Sequence, residues 1–376
     1  MEPSGTDSRF PAVSALMSRT SQQGLLIKAD TAGNRESVPL GSIRGGLIPE
    51  EAVQSIAVAG NEQVAVGSAD GYPAVWRRVA GGPWSLVSSL DQVSAGPELA
   101  RLSAVTRGPH GWLAAGPGLV LTSADGATWQ PARTIAHDLA SLSAVQAASG
   151  PRGYVITGTV AGPGGAYSRA VWWSPDLVTW TRARDVNETG GSSQLLAVAA
   201  GPSGFVSAGA HDNLPVVWTS SDGRTWTAVS TPLPAGASAG VIQQVAVNGS
   251  HVVALGQQTT ADGIQPLAER SDDGGRTWQP VPFSAPGPGV SFTALTTSSG
   301  GFTAAAQFSA ADGAMAAAVW TSADGTSWTR SPVSGLTGGG SHVITALAAS
   351  GTAVTAIDSV QTQAGQQFAV LRLPPG

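Results

Sequence analysis

The sequence predicts an all-β fold made of repeated antiparallel hairpins, and three observations lead to it. The stretch Trp-Thr-Ser-Ser-Asp-Gly-Arg-Thr-Trp at residues 218–226 recurs along the 376 residues with the same order of residue types. The copies lie about fifty residues apart, a period typical of four-stranded repeat units. Short apolar, β-branched runs bounded by glycine-rich turns fill the intervals. We therefore predict a seven-bladed β-propeller of four-stranded antiparallel blades, with a six-bladed ring as the alternative.

The recurring stretch reads as a hairpin with a polar tip. Residues 217–219 are apolar, aromatic or β-branched, which favours a strand, and residues 225–229 form a second one. In the turn between them, the Asp and Ser side chains can bond nearby backbone amides, and Gly223 can adopt a positive φ. We predict that the Asp and Trp of each copy are structural. The five copies place them at Asp125 and Trp129, Asp176 and Trp180, Asp222 and Trp226, Asp273 and Trp278, and Asp324 and Trp328.

This pattern resembles the Asp-box, or BNR, repeat of sialidase-type propellers, whose form is Ser-x-Asp-x-Gly-x-Thr-Trp. The copy at 271–278 matches it letter for letter. Three copies lack one residue between Asp and Gly, and the equally short copy at Ser174 has Leu177 in place of Gly. The resemblance implies a propeller whose hairpin tips are structural and lie away from the ligand face. We interpret the chain as a non-catalytic member.

Taken in order, the chain begins with a polar segment, residues 1–23, which we expect to be a flexible leader because it lacks the apolar core of a signal peptide. Residues 24–376 are predicted to form a single propeller domain. Within it, 25–30 and 35–40 resemble a hairpin with its turn at 31–34. Full repeats are predicted at about 52–90, 102–133, 141–184, 193–230, 241–282 and 291–333.

The seventh repeat supplies only three strands before the chain ends. We therefore predict that the N-terminal segment provides the outer strand of the last blade, which would close the ring and remove its open sheet edges. The first strand of each repeat is nearly all small and apolar, as at 195–200. That composition predicts a strand buried on both faces near the axis.

Composition limits the partners. Charged residues are 11% of the chain, the net charge is −5 and Lys28 is the single lysine, which argues against a nucleic-acid partner. The chain has no cysteine, so disulfides and thiolate metal sites are excluded. The sequence contains no run of eighteen apolar residues, so no membrane-spanning helix is predicted. We expect a monomer without cofactor, outside the cell or at the cell envelope.

The ligand face is predicted to carry the loops between second and third strands and between successive blades, opposite the hairpin tips. An acidic rim of Asp70, Asp212, Asp262 and Asp312 could bind a cation, a basic peptide or sugar hydroxyls. The favoured alternative is that Asp-Gly is simply a preferred hairpin turn. The loop at Asp358 is predicted to lie on the same face. The candidate ligand-face residues are Asp70, Tyr72, Tyr167, His211, Asp212, Asp262 and Asp312.

Catalytic residues are not evident. Sialidases, as the resemblance implies, use three arginines, a tyrosine with an acidic partner and an aspartate. Tyr72, Tyr154 and Tyr167 have no neighbouring Glu, and Arg107 alone ends an inner strand. A two-carboxylate glycosidase needs acids paired across the cleft, and the loop acids Asp91, Glu98, Asp185 and Glu188 show no pairing in their spacing.

The five histidines lack metal-ligand spacing, so no metal site is predicted. The sequence therefore favours a non-catalytic scaffold that binds a protein or a glycan. The alternative is a glycoside hydrolase with an atypical site.

Overall fold

The computed structural model describes residues 24–25, 35–36, 39–40, 52–69, 72–87, 101–132, 142–161, 167–184, 191–287, 289–310, 315–333, 336, 341–362 and 365–373. The predicted leader, 1–23, lies outside these residues.

Three short strands come first, and seven blades of four strands follow. The short strands are β1 (Gly24–Leu25), β2 (Arg35–Glu36) and β3 (Pro39–Leu40). Blade 1 contains β4 (Ala52–Ala59), β5 (Glu62–Ala69), β6 (Tyr72–Val79) and β7 (Ser85–Leu86), and blade 2 contains β8 (Ala104–Gly108), β9 (Gly111–Gly116), β10 (Leu119–Ser123) and β11 (Gln130–Pro131). Blade 3 contains β12 (Leu142–Gly150), β13 (Gly153–Ala161), β14 (Tyr167–Ser174) and β15 (Thr181–Arg182), and blade 4 contains β16 (Ser193–Gly201), β17 (Gly204–His211), β18 (Leu214–Ser220) and β19 (Thr227–Ser230). Blade 5 contains β20 (Ala237–Asn248), β21 (His251–Thr260), β22 (Gly263–Ser271) and β23 (Gln279–Pro280), and blade 6 contains β24 (Ser291–Ser298), β25 (Gly301–Ser309), β26 (Met315–Ser322) and β27 (Thr329–Ser331). Blade 7 contains β28 (Ser341–Ser350), β29 (Ala353–Thr362), β30 (Gly365–Leu373) and β2.

The blades form a closed ring around one axis. Each blade is antiparallel, with its strands in sequence order from first to fourth in blades 1 to 6. The first strand of every blade contacts the first strand of the next, and β28 of blade 7 returns to β4 of blade 1. The predicted seven-bladed propeller is confirmed, and the six-bladed alternative is wrong.

The N-terminal segment closes the ring. Strand β2 pairs antiparallel with β30, with Arg35 opposite Leu371 and Glu36 opposite Val370. This confirms that an N-terminal strand completes the last blade. The predicted pairing of 25–30 with 35–40 agrees with the pairing of β1 with β3, in which Leu25 is opposite Pro39. Arg35 and Glu36, at the start of the second segment, pair with β30. The free edge of β30 offers β2 a longer-range partner, which satisfies backbone groups that an open edge would leave unpaired.

The second strand of each blade, not the first, is the most buried. All of β9 is buried, and so is β17 up to His211. In contrast, β4 and β24 alternate between buried and half-buried residues. A second strand is covered on both faces by the neighbouring blades, whereas a first strand lines the axis along one edge. The prediction of a first strand buried on both faces is therefore wrong.

A β-bulge recurs in the first strands. The register shifts between Val53 and Ser55, Ser143 and Gln146, Leu195 and Ala197, Ile242 and Gln244, Phe292 and Ala294, and Ile344 and Ala346. A bulge re-aims the side chain of the extra residue. Two extra residues, Gln243 and Thr345, reach the next blade, since Gln243 Nε2 donates to Ser291 Oγ at 3.0 Å and Thr345 Oγ1 donates to the Val53 carbonyl at 2.9 Å.

Candidate functional site

A polar pocket of about 350 Å³ lies on the axis. First strands and adjoining loops of six blades line it. Its polar side chains are amides, hydroxyls and one guanidinium, and Arg101 is the one charged side chain among the described lining residues. The polar residues are Gln54, Ser55, Arg101, Ser103, Gln146, Gln244, Thr293 and Thr345.

Several of these side chains already hold neighbouring blades together. Ser103 Oγ donates to the Val145 carbonyl at 2.9 Å, and Gln244 Nε2 donates to the Thr293 carbonyl at 3.1 Å. Such bonds satisfy backbone groups at the blade boundaries. Many polar side chains of the axial pocket therefore serve to join neighbouring blades. Arg107 lies outside its described lining, with its guanidinium carbon 5.9 Å from the centre of the Trp112 ring.

A second concavity, the inter-blade groove, lies between blades 4 and 5 on the face that carries the turns between second and third strands. Its volume is about 490 Å³. Blade 4 contributes the turn at Asp212 and Asn213, both at positive φ. Asp212 Oδ1 accepts a hydrogen bond from the Ser192 amide at 2.7 Å. The groove is lined by Ser192, Gln194, Ala210, Asp212, Asn213, Ala239, Gly240, Val241, Gln257, Thr259 and Ile264.

A serine, a histidine and an aspartate meet at the edge of this groove. His211 Nδ1 is hydrogen-bonded to Ser193 Oγ at 2.5 Å, and its Nε2 lies 3.7 Å from Asp212 Oδ2. Ser193 is only 5% exposed. A nucleophilic hydroxyl has to reach a substrate carbonyl, so the buried Ser193 serves to hold the imidazole in place. The sequence did not reveal Ser193, because it meets His211 only through the pairing of β16 with β17.

The predicted acidic rim is only partly described. Asp212 and Asp262 lie in the expected turns of blades 4 and 5, and both are exposed. Asp70 and Asp312 lie outside the described residues. Tyr72 begins β6 and is half-buried, whereas for Tyr167 only the backbone, at the start of β14, is described. The rim as a whole stays a prediction.

The loop assignment of Asp358 is wrong. Asp358 lies inside β29, is fully buried and is hydrogen-bonded through Oδ2 to His342 Nδ1 at 3.0 Å. The pair joins the first and second strands of blade 7. Only the register of β28 with β29 brings the two residues together, so their sequence spacing carried no signal.

In the five predicted hairpin tips, here called the Asp turns, the Asp carboxylate accepts hydrogen bonds from one or two of the backbone amides that follow it. In the Asp turn of blade 4, Asp222 Oδ1 accepts hydrogen bonds from the amides of Arg224 at 2.8 Å and Thr225 at 2.9 Å, and Ser220 Oγ accepts one from Gly223 at 2.8 Å. Trp226 Nε1 donates to the Gly223 carbonyl at 3.1 Å. The turn is thus stabilised by its own side chains, as expected for a structural element.

Asp turns also contact the preceding blade. The guanidinium of Arg224 lies 4.4 Å from the centre of the Trp173 ring of blade 3, and Arg270 Nε of blade 5 donates to the Asp324 carbonyl of blade 6 at 2.9 Å. These contacts join the Asp turns of blades 4 and 6 to the preceding blades.

The Asp-turn carboxylates predict acid sensitivity. Hydrogen bonds from the Thr128 and Ala127 amides lower the pKa of Asp125, and those from Thr179 and Val178 lower the pKa of Asp176. A lowered folded-state pKa contributes stability above the unfolded-state pKa, about 3.9, and this contribution is lost as pH falls through the folded value. We expect the melting temperature to fall below about pH 4, and to fall less steeply in the Asp125→Asn, Asp176→Asn double variant. Asp262→Asn is the control variant. If it changed the pH dependence of the melting temperature as much as the double variant does, the acid sensitivity could not be assigned to the Asp turns.

Glu269 is a buried carboxyl that the sequence analysis missed. It is 1% exposed and lies two residues before the Asp-turn serine, a place that Trp218 and Trp320 occupy in blades 4 and 6. The neighbouring Thr231 hydroxyl donates to the Pro215 carbonyl, and neither oxygen of Glu269 accepts a hydrogen bond within the described structure. Burial raises the pKa of Glu269 to about 7. Aligning the repeats on their serines would have exposed the substitution.

Glu269 predicts a loss of stability with rising pH. The unfolded chain releases this proton near pH 4.3, whereas the folded chain keeps it until about pH 7. The free energy of unfolding therefore declines across that window. We expect Glu269→Gln to abolish the decline and to be more stable at pH 8 by about 2 kcal/mol. Denaturant melts at pH 5 and pH 8 measure this, and the prediction fails if the variant shows no gain at pH 8.

Comparisons with known proteins place the fold. No protein-family model matches the sequence, and no curated protein matches it. Among solved structures, YCF48 from Cyanidioschyzon merolae is 15% identical with a TM-score of 0.54, over 90% of this chain and 98% of that chain. A structure of YCF48 bound to D1 peptide is 12% identical with a TM-score of 0.53, over 88% and 96%. Trypanosoma rangeli sialidase is 13% identical with a TM-score of 0.47, over 93% of this chain and 57% of the sialidase.

At these identities the similarity to YCF48 shows the fold alone. The sialidase similarity is too low to support an argument, and this chain spans little more than half of that protein. Within the described part of the chain, no helix is long and apolar enough to cross a membrane. Nor do three His, Asp or Glu side chains come together there as a metal site would require.

Proposed function

We propose that this chain is a non-catalytic β-propeller that binds a protein or glycan partner through the face carrying the turns between second and third strands. We place it, as a monomer, at the cell envelope or outside the cell. The observation that carries the proposal is the contrast between the two concavities of this face. Side chains of the axial pocket are hydrogen-bonded to backbone carbonyls of neighbouring blades. The inter-blade groove, in contrast, is open and includes exposed polar and apolar residues.

The chemistry of the axis supports binding rather than hydrolysis. Glycosidases need two carboxyl groups on either side of the scissile bond. The described lining of the axial pocket presents amides, hydroxyls and Arg101 instead. The loop acids Asp91, Glu98, Asp185 and Glu188 lie outside the described residues, so the glycoside hydrolase alternative stays a prediction from sequence.

The comparison with YCF48 supports a protein partner over a glycan. One of the similar structures is that of YCF48 bound to D1 peptide. A shared fold does not by itself transfer a partner. The bound peptide is a property of YCF48, and it favours a protein as the first class of partner to test for this chain.

The proposal is tested by finding a partner and mapping where it binds. The immobilised chain is screened against a glycan array and against envelope and secreted proteins, and bound complexes are mapped by amide hydrogen exchange. We expect protection at the turns 211–214 and 260–263 and at the ends of the first strands around the axis. Protection confined to the Asp turns at 220–226 and 271–278, or release of a cleaved oligosaccharide, would contradict the proposal.

A further inference from the structure

We propose that the chain has a second binding site, a notch between the Asp turns of blades 4 and 5 that accepts a tryptophan side chain of a partner protein. We call it the Asp-turn notch. It lies on the face opposite to the one in the proposed function, so the two proposals are independent. The same place recurs at successive blade boundaries, and the side chains that fill it elsewhere show what this notch would accept.

The Asp-turn notch is a surface concavity with a volume of about 290 Å³. Thr219 lies at its blade 4 side, immediately before the Asp-turn serine, and is half-buried. A Cβ built at Gly275 of the blade 5 Asp turn would lie 3.0 Å from Thr219 Cγ2 and 3.8 Å from Val206 Cγ1. Thr219 is therefore the side chain that faces the next Asp turn, and it is too small to fill the space. The lining includes Ser203, Val206, Thr219, Val247 and Arg276.

At the boundary of blades 3 and 4, an indole fills the corresponding place. Trp173 corresponds to Thr219, since both precede an Asp-turn serine, and a Cβ at Gly223 would lie 2.1 Å from Trp173 Cδ1. The Arg224 guanidinium lies 4.4 Å from the centre of this ring, and Trp173 Nε1 donates to the Arg152 carbonyl at 2.8 Å. The indole thus has three partners: a glycine beside it, a cation over its face and a carbonyl at its N–H.

The Asp-turn notch has all three partners and lacks the ring. In the blade 5 Asp turn, the residues that correspond to the glycine and the arginine are Gly275 and Arg276. Ser203 corresponds to Arg152, because each is the last residue before the glycine that begins the second strand. An indole placed in the notch would therefore lie against Gly275, with Arg276 over its face and its N–H directed at the Ser203 carbonyl.

The boundary of blades 5 and 6 shows why the occupant is aromatic and not cationic. There Arg270 fills the place, since a Cβ at Gly325 would lie 3.5 Å from its Cδ, and its Nε donates to the Asp324 carbonyl at 2.9 Å. The residue after Gly325 is Thr326, which is uncharged. In the Asp-turn notch the corresponding residue is Arg276, and a second cation beside it is disfavoured. An aromatic ring gains from the same guanidinium.

The boundary of blades 2 and 3 is filled from the other side. The residue before the Asp-turn serine is again a threonine, Thr122, but Leu177 replaces the glycine of the next turn. Leu177 is 8% exposed, and its Cδ1 would lie 3.5 Å from a Cβ at Gly111. Between blades 4 and 5, in contrast, a threonine faces a glycine, so neither side supplies a large side chain.

A protein is the partner that fits, because the notch requires a flat aromatic ring and an N–H donor in one group. A tryptophan side chain combines the two, whereas a glycan has no aromatic ring. Tryptophan is also among the side chains that contribute most to binding at protein interfaces. A protein segment, unlike a free indole, can in addition contact the turns that surround the notch.

The first experiment places the chain's own indole in the notch. We expect Thr219→Trp to fold, to melt no lower than the unsubstituted chain, and to show the new ring beside Gly275 and Arg276 in its crystal structure. Trp173 shows that the same placement is tolerated one blade earlier. A variant that does not fold, or a ring that points into solvent, would therefore contradict the inference.

The second experiment selects ligands from a random peptide display library on the intact chain, with counter-selection on the Thr219→Trp variant. We expect the selected peptides to contain tryptophan and to protect the amides of 220–226 and 271–278 from hydrogen exchange. Fluorescence polarisation should show that Thr219→Trp abolishes their binding and that Arg276→Ala weakens it about two- to fivefold. The matched control is Thr321→Trp, at the same position of blade 6, which should leave binding unchanged.

The inference is overturned if the selected peptides lack tryptophan, if no peptide is selected, or if Thr219→Trp and Thr321→Trp weaken binding equally. It is also overturned if N-acetyltryptophanamide binds as tightly as the peptides, since the site would then serve a free indole and not a protein. The proposed function is judged separately, by protection of 211–214 and 260–263. A natural partner that protected the Asp turns alone would contradict the proposed function and support the notch.

Discussion

Replacing Trp226 by alanine is expected to lower the free energy of unfolding by about 3–5 kcal/mol. The ring is 2% exposed and packs in a cluster with Val171 of blade 3 and with Phe205 and Trp218 of its own blade. Its truncation leaves a cavity at the boundary between two blades, where both sheets are held by the rest of the ring and cannot close over it. The hydrogen bond from Trp226 Nε1 to the Gly223 carbonyl is lost as well.

The comparison that decides this prediction is Asp222→Ala. Asp222 supports two backbone amides at the surface, and water can replace part of what the carboxylate supplies. Its loss is expected to cost about 1 kcal/mol. Urea melts of the two variants at pH 7 measure both values. If the Asp222 variant proved the less stable of the two, the Asp turn would depend on its polar bonds more than on its buried ring.

The fold could be predicted because each blade repeats the same local solution. The Asp turn fixes a hairpin within a few residues, and its tryptophan needs a neighbouring blade to cover it. The five copies therefore mark blades 2 to 6, and the matching runs of strands on either side add blades 1 and 7. The missing strand of blade 7 predicted that the N-terminal segment would pair with β30, since an open edge is costly. The burial of the first and second strands could not be predicted in the same way. Small apolar residues are compatible with both strands, and only the packing of neighbouring blades decides which of the two is covered on both faces.

The candidate site was less predictable because it depends on pairs that form only after folding. His211 and Asp212 were found from their turn, but Ser193 and Gln194 were not, since only the pairing of β16 with β17 brings them beside this turn. The buried pair His342 and Asp358 is likewise a product of strand register. Glu269 differs, because it breaks a repeat pattern visible in the sequence.

Replacing Gly204 by alanine is expected to cost about 3 kcal/mol, the sum of two independent penalties. Gly204 begins β17 with a φ of +131°, a conformation that side-chain-bearing residues rarely adopt. A Cβ built there would also lie 2.1 Å from the carbonyl oxygen of Ser220 and 2.8 Å from Ser221 Cα. Both atoms are backbone of the Asp turn, so relief would require the turn itself to move.

The matched control is Gly249→Ala, in the corresponding turn of blade 5. Gly249 has a φ of +64°, and a Cβ there would meet nothing within 4 Å. Its substitution carries only the conformational penalty, about 1 kcal/mol. Denaturant melts of both variants therefore separate the conformational penalty from the clash with the Asp turn. Equal losses in the free energy of unfolding would mean that the Asp turn moves aside at little cost. A larger loss at Gly204, with increased hydrogen exchange at the amides of Arg224 and Thr225, would show that the hairpin between first and second strands holds the Asp turn in place.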